Sequence, residues 1–327
     1  MKFAVILPNT KLYGGVKRFF ELGDVLIEKG HTFFVFSPEG KNPEWYSGNV
    51  QTFRMDEISS FDLDVGFVTE TRFLSSLFQA NAERKILYFV RPSDSLGILK
   101  KYPGIEVFAN STNTYDTATK HGIEAFKAYG GINTRSYYPK EILPNEGEPF
   151  IVMTYGRIVE KKKGTRLVVK ACERLHKRGY NVKLLLFDTP VNEKAKVAID
   201  RFNTSVPFEF VLGHPVERNV ELYHRADIFV SAEKKAGYSN TSAEAMASGL
   251  PVIGTSSGTK DFLIHEETGI VVSRWSWRIA SAIASLIDDV EMRKKLGLAG
   301  RKKIEEFSWN ILADRIVKYF EGNSVKA

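Results

Sequence analysis

The sequence predicts an α/β protein built from two doubly wound domains of similar size, and three observations lead to this class. The chain has 327 residues, about twice the usual length of one domain. Short runs of β-branched and aromatic residues alternate with helical patterns, which is typical of parallel sheets. A segment at residues 139–149 that contains three prolines separates two such series and indicates an interdomain linker.

The first series fills a predicted domain at residues 1–141. A helical pattern of small and apolar residues at 16–27 follows the first strand, and Gly30 is placed to cap the end of that helix. The strands are predicted from short runs rich in β-branched and aromatic side chains. These runs are residues 3–7, 32–36, 65–68, 86–90 and 107–109.

The second series fills a predicted domain at residues 149–307, and only helical patterns follow residue 275. A final helix is predicted at residues 308–322, because residues 309–320 carry a strong apolar stripe and Ser308 is a suitable N-cap. The predicted strands of this domain are residues 150–155, 182–187, 208–212, 228–230, 251–253 and 270–272.

The composition excludes several classes of protein. With 43% hydrophobic and 26% charged residues the chain is close to the average for globular proteins. No apolar run approaches the roughly 18 residues that a membrane-spanning helix requires. The single cysteine, Cys172, excludes an internal disulfide and a cysteine-pair zinc site. We therefore expect a cytoplasmic protein.

The net charge of +7 suits three kinds of partner: nucleic acid, an anionic membrane surface, or a phosphorylated small molecule. Nucleic acid is disfavoured because the basic clusters lack interleaved aromatic residues and any known binding motif. Lys294, Lys295 and residues 301–303 lie on helical patterns and are interpreted as solvated faces, with peripheral contact to an anionic membrane as the alternative.

Three loops that follow predicted strands carry the residues best suited to chemistry, since ligands of open α/β sheets bind at the carboxyl ends of the strands. In the first loop, Gly14 and Gly15 precede a helix and would let an anion approach the backbone amides. A tight turn that packs the helix on the strand explains the glycine pair equally well. The loop lacks the G-x-G-x-x-G fingerprint, which argues against a nicotinamide dehydrogenase.

The second loop, residues 155–165, is strongly basic. It places Arg157 and three successive lysines, residues 161–163, between the end of a strand and the start of a helix. Four cations within seven residues suit a diphosphate. A solvated basic face is the alternative interpretation.

The third loop opens a short helix with small and polar residues whose backbone amides could hold phosphate oxygens. Glu244 lies one turn into this helix, where its carboxylate could accept two hydrogen bonds from a vicinal diol such as a ribose. A glutamate in a first turn could instead only complement the helix dipole. The residues of the loop are Gly237, Tyr238, Ser239, Asn240, Thr241 and Ser242.

Taken together, these loops resemble the retaining nucleotide-sugar glycosyltransferases of the GT-B fold, specifically glycosyltransferase family 4. The resemblance extends along the whole chain in the order of the family's motifs. The matching stretches are residues 13–16, 28–31, 109–111, 130–139, 156–157, 163–164, 223–230, 244–253 and 267–269. It implies two Rossmann-like domains facing a central cleft, with the C-terminal helix crossing back to the N-terminal domain.

The resemblance also implies a reaction. A sugar would pass, with retention of configuration, from a nucleoside diphosphate, most simply UDP or GDP, to a glycan, lipid-linked or other hydroxyl acceptor. The donor would lie on the C-terminal domain and the acceptor on the N-terminal domain, and neither a metal nor a cofactor would be required. The D-x-D pattern of Asp62 and Asp64 is set aside as a metal site because it lies at the start of a strand, away from the strand ends.

Residue roles follow from the resemblance in the same way. Arg157 and Lys162 would neutralise the diphosphate leaving group, with Lys163 as the alternative lysine because the basic run is one residue longer than usual. Glu244 would bind the ribose, and Gly15 would let the diphosphate lie against the N-terminal domain. The loop containing His214 and Val216 would lie beside the base.

Two positions depart from the family pattern. Ala236 stands where the family has its first glutamate, eight residues before Glu244, and Glu233 is the nearest carboxylate. Arg91 stands where the family often has a histidine beside the reacting sugar, and by this position it joins Arg157 and Lys162 as a candidate catalytic residue. These departures favour one alternative to transfer, a catalytically weak or silent nucleotide-binding subunit. A GT-B nucleotide-sugar epimerase is a second alternative.

Overall fold

The computed structural model describes residues 1–91, 95–141, 147–190 and 192–323. The chain divides into two units, one made of Met1–Gly131 with the C-terminal segment from Phe307, the other of Ile132–Glu306. Each unit contains one sheet, and every strand pairing is parallel. The predicted class, two doubly wound α/β domains, is confirmed.

The sheet of the first unit has seven strands within the described residues, in the order β3-β2-β1-β4-β5-β6-β7. The strands are β1 (Lys2–Ile6), β2 (Thr32–Ser37), β3 (Gln51–Arg54), β4 (Leu63–Val68), β5 (Ala82–Phe89), β6 (Glu106–Ala109) and β7 (Phe126–Lys127). Helices α1 (Gly14–Glu28), α2 (Leu74–Gln79) and α3 (Thr112–Lys120) accompany them. The order reverses at β1, as in a doubly wound sheet.

Two of these strands were not predicted from the sequence. β3 and β7 are the edge strands of the sheet, and neither contains a fully buried residue. An edge strand is shielded by neighbours on one side only, so it does not need the continuous apolar run that identifies an inner strand. The five predicted strands all form inner strands.

The second unit repeats this plan with six strands among the described residues, in the order β10-β9-β8-β11-β12-β13. All six were predicted. They are β8 (Phe150–Tyr155), β9 (Val182–Asp188), β10 (Phe208–Leu212), β11 (Ile228–Ser231), β12 (Val252–Gly254) and β13 (Ile270–Val271). The helices are α4 (Thr165–Lys177), α5 (Glu193–Asp200), α6 (Asn219–His224), α7 (Asn240–Ala247), α8 (Ser276–Asp288) and α9 (Val290–Glu305).

The last helix, α10 (Trp309–Asn323), belongs to the first unit. Its stripe of Trp309, Leu312, Ile316 and Phe320 is buried in the same apolar cluster as Phe3 of β1. The predicted apolar stripe is therefore the face that the helix buries, and the C-terminal helix packs in the N-terminal unit as the resemblance implied.

The first unit ends at Gly131, ten residues before residue 141, where the sequence predicted the end of the first domain. Residues 132–141 lie with the second unit because Arg301 on α9 donates hydrogen bonds to the carbonyl oxygens of Tyr137 (2.6 Å) and Thr134 (3.0 Å). The expectation that Arg301 lies on a solvated face is therefore wrong. The predicted linker residues Pro144 and Asn145 lie outside the described residues.

Candidate active site

The carboxyl edge of the second sheet brings the basic loop together with two acidic positions. Because the strands are parallel, the loops after β8, β9 and β11 all leave from this edge. The strand order reverses at β8, which lies between β9 and β11. Arg157 follows β8, Asp188 ends β9, and Glu233 follows β11. A reversal of this kind is where open α/β sheets bind ligands.

Arg157 is buried and fixed by its neighbours. Its Nε donates to Oδ1 of Asp188 at 2.8 Å and its Nη1 to Oε1 of Glu160 at 3.2 Å, and its guanidinium carbon lies 5.2 Å from the centre of the Tyr155 ring. Burial alone lowers the pKa of Arg157, but Tyr155 and Asp188 raise it, and the net direction is upward. The guanidinium is therefore charged and oriented by the protein itself.

The two lysines considered for the leaving group have different surroundings. Lys162 is 66% exposed, with its Nζ 3.4 Å from Oε2 of Glu160. Lys163 is 28% exposed, forms an ion pair with the buried carboxylate of Glu233, and has its Nζ 5.5 Å from the centre of the Tyr155 ring. Since Arg157 contacts the same ring, Lys163 and Arg157 converge on Tyr155.

Backbone contacts hold the loops after β8 and β11 against each other. Gly164 has a φ of +75°, and a Cβ at this position would collide with the carbonyl oxygen of Ala232, so both conformation and space require glycine. The amide of Lys234 donates to the carbonyl of Lys162 at 2.8 Å. The loop after β11, which carries Glu233, thus constrains the conformation of the basic loop.

Arg274, which follows β13, also connects these loops and was not identified from the sequence. Its Nε donates to the carbonyl of Ala232 at 2.7 Å, and its Nη2 donates to the carbonyl of Lys161 at 2.9 Å. No local pattern marks Arg274, because its partners lie 42 and 113 residues away in the chain.

Glu244 lies on α7 and is buried. Its Oε2 accepts a hydrogen bond of 2.9 Å from the hydroxyl of Tyr223, which lies on α6 and is fully buried. Burial and the neighbouring Glu244 charge raise the pKa of Tyr223 well above its usual value, so the hydroxyl stays protonated and donates. The carboxylate is held in place by this contact, and one of its oxygens is engaged by it.

The small polar loop before α7 is internally bonded. The amide of Ser239 donates to the carbonyl of Gly258 at 2.9 Å, and the hydroxyls of Ser239 and Ser242 are 2.9 Å apart. The amides of Asn240, Thr241 and Ser242 lie in the first turn of α7, where a helix has no intrahelical acceptors for them. The sequence suggested the backbone amides of residues 239–242 as phosphate ligands. The amide of Ser239 is already bonded to another loop.

The loop after β10 approaches the same edge. The amide of Gly213 donates to the carbonyl of Asp188 at 3.2 Å, so the loop that leads to His214 and Val216 is connected to the residue that orients Arg157. His214 Nε2 lies 3.0 Å from the carbonyl oxygen of Arg218. Gly237 and Tyr238 follow the same β11 loop as Glu233, and the Tyr238 ring packs edge-on against Phe262.

Gly15 and Arg91 belong to the first unit. Gly15 lies in the first turn of α1, and a Cβ there would meet no atom within 4 Å in the described part of the chain, so packing within the unit does not require glycine. Arg91 follows β5 and is exposed, with its Nη1 3.7 Å from Oε1 of Glu70. Both residues lie just beyond the carboxyl ends of strands.

The D-x-D carboxylates have structural partners. Asp64 accepts a hydrogen bond from the amide of Lys2 at 2.7 Å, and Asp62 accepts one from Nδ2 of Asn81 at 2.5 Å. Both lie at the amino-terminal start of β4. Among the residues described, His, Cys, Asp and Glu side chains form no group of three that could hold a metal ion. None of the described helices is both long and apolar enough to cross a bilayer.

Comparison with known proteins places this site in a family. The family model described as "Glycosyl transferases group 1" matches residues 138–303, which include every candidate residue of the second unit. The capsular polysaccharide biosynthesis glycosyltransferase CapM of Staphylococcus aureus is 33% identical over 171 residues, covering 51% of this chain and 44% of that protein.

Two further comparisons extend this result. A GDP-mannose-dependent alpha-mannosyltransferase of Mycobacterium tuberculosis is 25% identical over 225 residues, covering 65% of this chain and 55% of that protein. Anabaena Alr3699/HepE, solved in complex with UDP-glucose, superposes with a TM-score of 0.79 at 15% identity, covering 98% of this chain and 100% of that one. This likeness shows the fold that the GT-B resemblance implied. The chain spans about half the length of the curated relatives it matches.

Proposed function

The chain belongs to the glycosyl transferases group 1 family, whose model matches just over half of it, and from that premise we propose that it transfers a sugar from a nucleoside diphosphate to a hydroxyl acceptor. The observation that carries the proposal is the convergence of Arg157 and Lys163 at the strand-order reversal of the second sheet. Two cations at this point suit a diphosphate, because ligands of such sheets bind there and phosphates need positive partners.

In the proposed reaction, the main contribution of the protein to catalysis is to neutralise the charge of the diphosphate leaving group. As the bond between the sugar and the diphosphate breaks, negative charge grows on the departing phosphate. The Arg157 guanidinium is already oriented by Asp188 and Glu160, so little reorganisation is needed when that charge develops. We assign the second cation to Lys163 in preference to Lys162, because Lys163 shares the Tyr155 ring with Arg157, whereas Lys162 is mostly exposed.

Glu244 is proposed to bind the ribose of the donor. Its carboxylate is immobilised by the Tyr223 hydroxyl and is carried by a helix whose first-turn amides face the same edge of the sheet. A fixed carboxylate binds a vicinal diol with little loss of side-chain entropy. His214 and Val216, on the loop connected to Asp188, are proposed to lie beside the base. UDP and GDP are the first nucleotides to test, because Alr3699/HepE was solved with UDP-glucose and one mycobacterial relative is named as GDP-mannose-dependent.

We propose retention of configuration, without a covalent protein nucleophile. The departing phosphate, held by Arg157 and Lys163, would help to deprotonate the acceptor on the same face of the sugar, and the protein would contribute positioning and charge stabilisation. We expect no requirement for a metal or cofactor.

A silent nucleotide-binding subunit is a second candidate, and Ala236 is the observation that favours it. This residue stands where a sugar-directed glutamate would be expected, and its amide donates to the Ser257 hydroxyl at 2.8 Å. The nearest carboxylate, Glu233, is paired with Lys163. Restoring glutamate at position 236 should raise turnover in a weakened enzyme and should not do so in a protein whose donor sugar is bound by other groups.

The test begins with ligand binding to the purified protein. Thermal shift and calorimetry are measured with UDP, GDP, ADP, CMP and dTDP, with and without a divalent cation, because a ligand that binds only the folded state raises its stability. Selective, metal-independent stabilisation by one nucleoside diphosphate supports the proposal and identifies the base. A folded protein that binds none of them contradicts it. Product analysis of the matching nucleotide sugar without an acceptor then distinguishes transfer from epimerisation.

A further inference from the structure

The outer face of α4 carries a continuous basic stripe. Arg166, Lys170, Arg174 and Arg178 recur every four residues from the first turn of α4 to the residue that caps it, and all four side chains are exposed. Residues four apart lie above one another on a helix. At the helical rise the stripe is about 18 Å long. The exposed Lys177 lies beside its end.

This stripe lacks acidic partners of the kind that compensate several basic residues on other helices. Those residues pair with an acid three positions away in the chain. Examples are Lys196 with Glu193, Arg218 with Glu221 and Lys294 with Glu291. On α4 the one acidic residue, Glu173, instead accepts a hydrogen bond from the Thr204 hydroxyl at 2.9 Å. In the described part of the chain, no acid forms an ion pair with any of the four stripe residues.

Two exposed tryptophans adjoin the stripe. Trp275 is 63% exposed and Trp277 is 52% exposed, at the start of α8, which packs on α4 through a shared apolar cluster. Nε of Arg174 lies 3.3 Å from the hydroxyl of Ser276, the residue between them. The guanidinium carbon of Arg278 lies 4.6 Å from the centre of the Trp277 ring. Two neighbouring exposed tryptophans bordered by basic residues form the kind of apolar patch with a polar rim that is typical of an interaction surface.

We propose that the basic-aromatic face, defined as Arg166, Lys170, Arg174 and Arg178 with Trp275 and Trp277, docks the protein on an anionic lipid bilayer. Basic side chains are attracted by acidic headgroups, and tryptophan rings lie at the level between headgroups and acyl chains. A nucleic acid fits this face less well, because the rings stand together beside the stripe instead of alternating with the cations.

The basic-aromatic face differs from the basic clusters on α9. Arg301 donates hydrogen bonds to backbone carbonyls of its own unit, and Lys294 and Lys303 pair with nearby glutamates.

This proposal does not depend on the transfer reaction, because vesicle binding is measured without donor or acceptor.

The full-length chain is sedimented with vesicles of phosphatidylcholine alone and of phosphatidylcholine mixed with phosphatidylglycerol. We expect binding to the mixed vesicles only, weakened by added salt. Arg166→Glu with Lys170→Glu should reduce binding about tenfold or more. The matched control, Lys295→Glu with Lys302→Glu, changes the net charge equally on exposed positions of α9 and should keep most of the binding. Thermal melting checks that both variants are folded.

Tryptophan fluorescence supplies an independent measurement. Vesicle binding should shift the emission to shorter wavelength. The shift should disappear in Trp275→Phe with Trp277→Phe but persist in Trp45→Phe, because Trp45 packs against the apolar cluster of the first unit. The proposal is overturned if the wild-type protein binds no anionic vesicle, or if the α9 control loses as much binding as the α4 variant. Salt-sensitive binding to an oligonucleotide, without vesicle binding, would also overturn it and would assign the face to nucleic acid.

Discussion

Replacing Lys163 and Lys162 of the basic loop in turn tests the site most directly. Lys163→Met removes the cation that shares the Tyr155 ring with Arg157. Lys162→Met is the matched control, because it makes the same chemical change one residue away on a side chain that is 66% exposed. Methionine keeps much of the length of the lysine stem, so each substitution mainly removes charge.

The expected magnitudes differ because the surroundings differ. A charge-assisted contact with a phosphate contributes about 1.5–3 kcal/mol, so Lys163→Met should lower kcat/KM by about 10- to 150-fold. An exposed charge contributes at most about 1 kcal/mol, so Lys162→Met should cost about fivefold or less.

Loss of Lys163 also affects folding, and a third variant separates the two effects. Without Lys163, the buried carboxylate of Glu233 loses its cation, which should lower the free energy of unfolding by about 1–3 kcal/mol. Combining Lys163→Met with Glu233→Gln removes the uncompensated charge and should restore part of the stability without restoring turnover.

The assays are denaturant unfolding, calorimetric titration with the nucleoside diphosphate that the binding screen identifies, and steady-state turnover on folded protein. A larger loss of activity in folded Lys162→Met than in folded Lys163→Met would contradict the assignment of Lys163 to the diphosphate. Recovery of both stability and turnover in the double variant would also contradict it, since Lys163 would then serve folding alone.

Four further predictions concern single positions. Glu244→Gln should weaken nucleotide affinity about tenfold or more. Tyr223→Phe keeps the carboxylate but removes the hydroxyl that bonds both to it and to the carbonyl of Thr241, so it should weaken affinity less. Titration calorimetry compares the two variants, and equal affinity of Glu244→Gln and wild type would contradict the ribose assignment. Arg157→Lys keeps the charge but loses the paired contacts to two carboxylates, so turnover should fall more than ground-state nucleotide affinity; equal losses would mean that this residue only binds. Gly164→Ala should lower the melting temperature because a Cβ there collides with a neighbouring carbonyl and the φ is positive; an unchanged melting curve would exclude that constraint. Burial alone would raise the pKa of Glu160, but the hydrogen bond from Arg157 and the charge of Lys162 lower it below 4.5. The stabilising contribution of the Glu160 carboxylate is therefore complete above pH 4.5 and is lost as the pH falls through the lower folded-state pKa. Glu160→Gln should reduce the acid sensitivity of thermal melts.

The sequence was sufficient for the inner strands and for the order of the loops. A strand buried on both faces of a parallel sheet must be apolar along its length, so β1 and β8 are visible as runs of large hydrophobic residues. The edge strands β3 and β7 carry no such requirement and were missed, whereas the edge strands β10 and β13 of the second sheet keep short apolar runs and were predicted. The loops were identifiable because turn residues, helix starts and charges are local properties of neighbouring residues.

Local patterns could not predict the boundary at Gly131 or the partly buried contacts of Arg301. Arg301 has the sequence neighbours of a solvated helical residue, yet its guanidinium bonds to carbonyls 54, 164 and 167 residues away. Those contacts attach residues 132–141 to the second unit. A helical pattern shows which positions share a face but does not identify what that face meets.

Local sequence patterns were enough to predict the α/β class, the two repeated sheets, and the presence of a cationic loop before Gly164. The folded chain was needed to place Lys163, and not Lys162, against Glu233 and Tyr155. It was also needed to identify Arg274 as the residue that connects the loops. Backbone pattern depends on neighbours within a few residues, whereas the direction and charge environment of a side chain depend on groups that folding brings from distant parts of the chain.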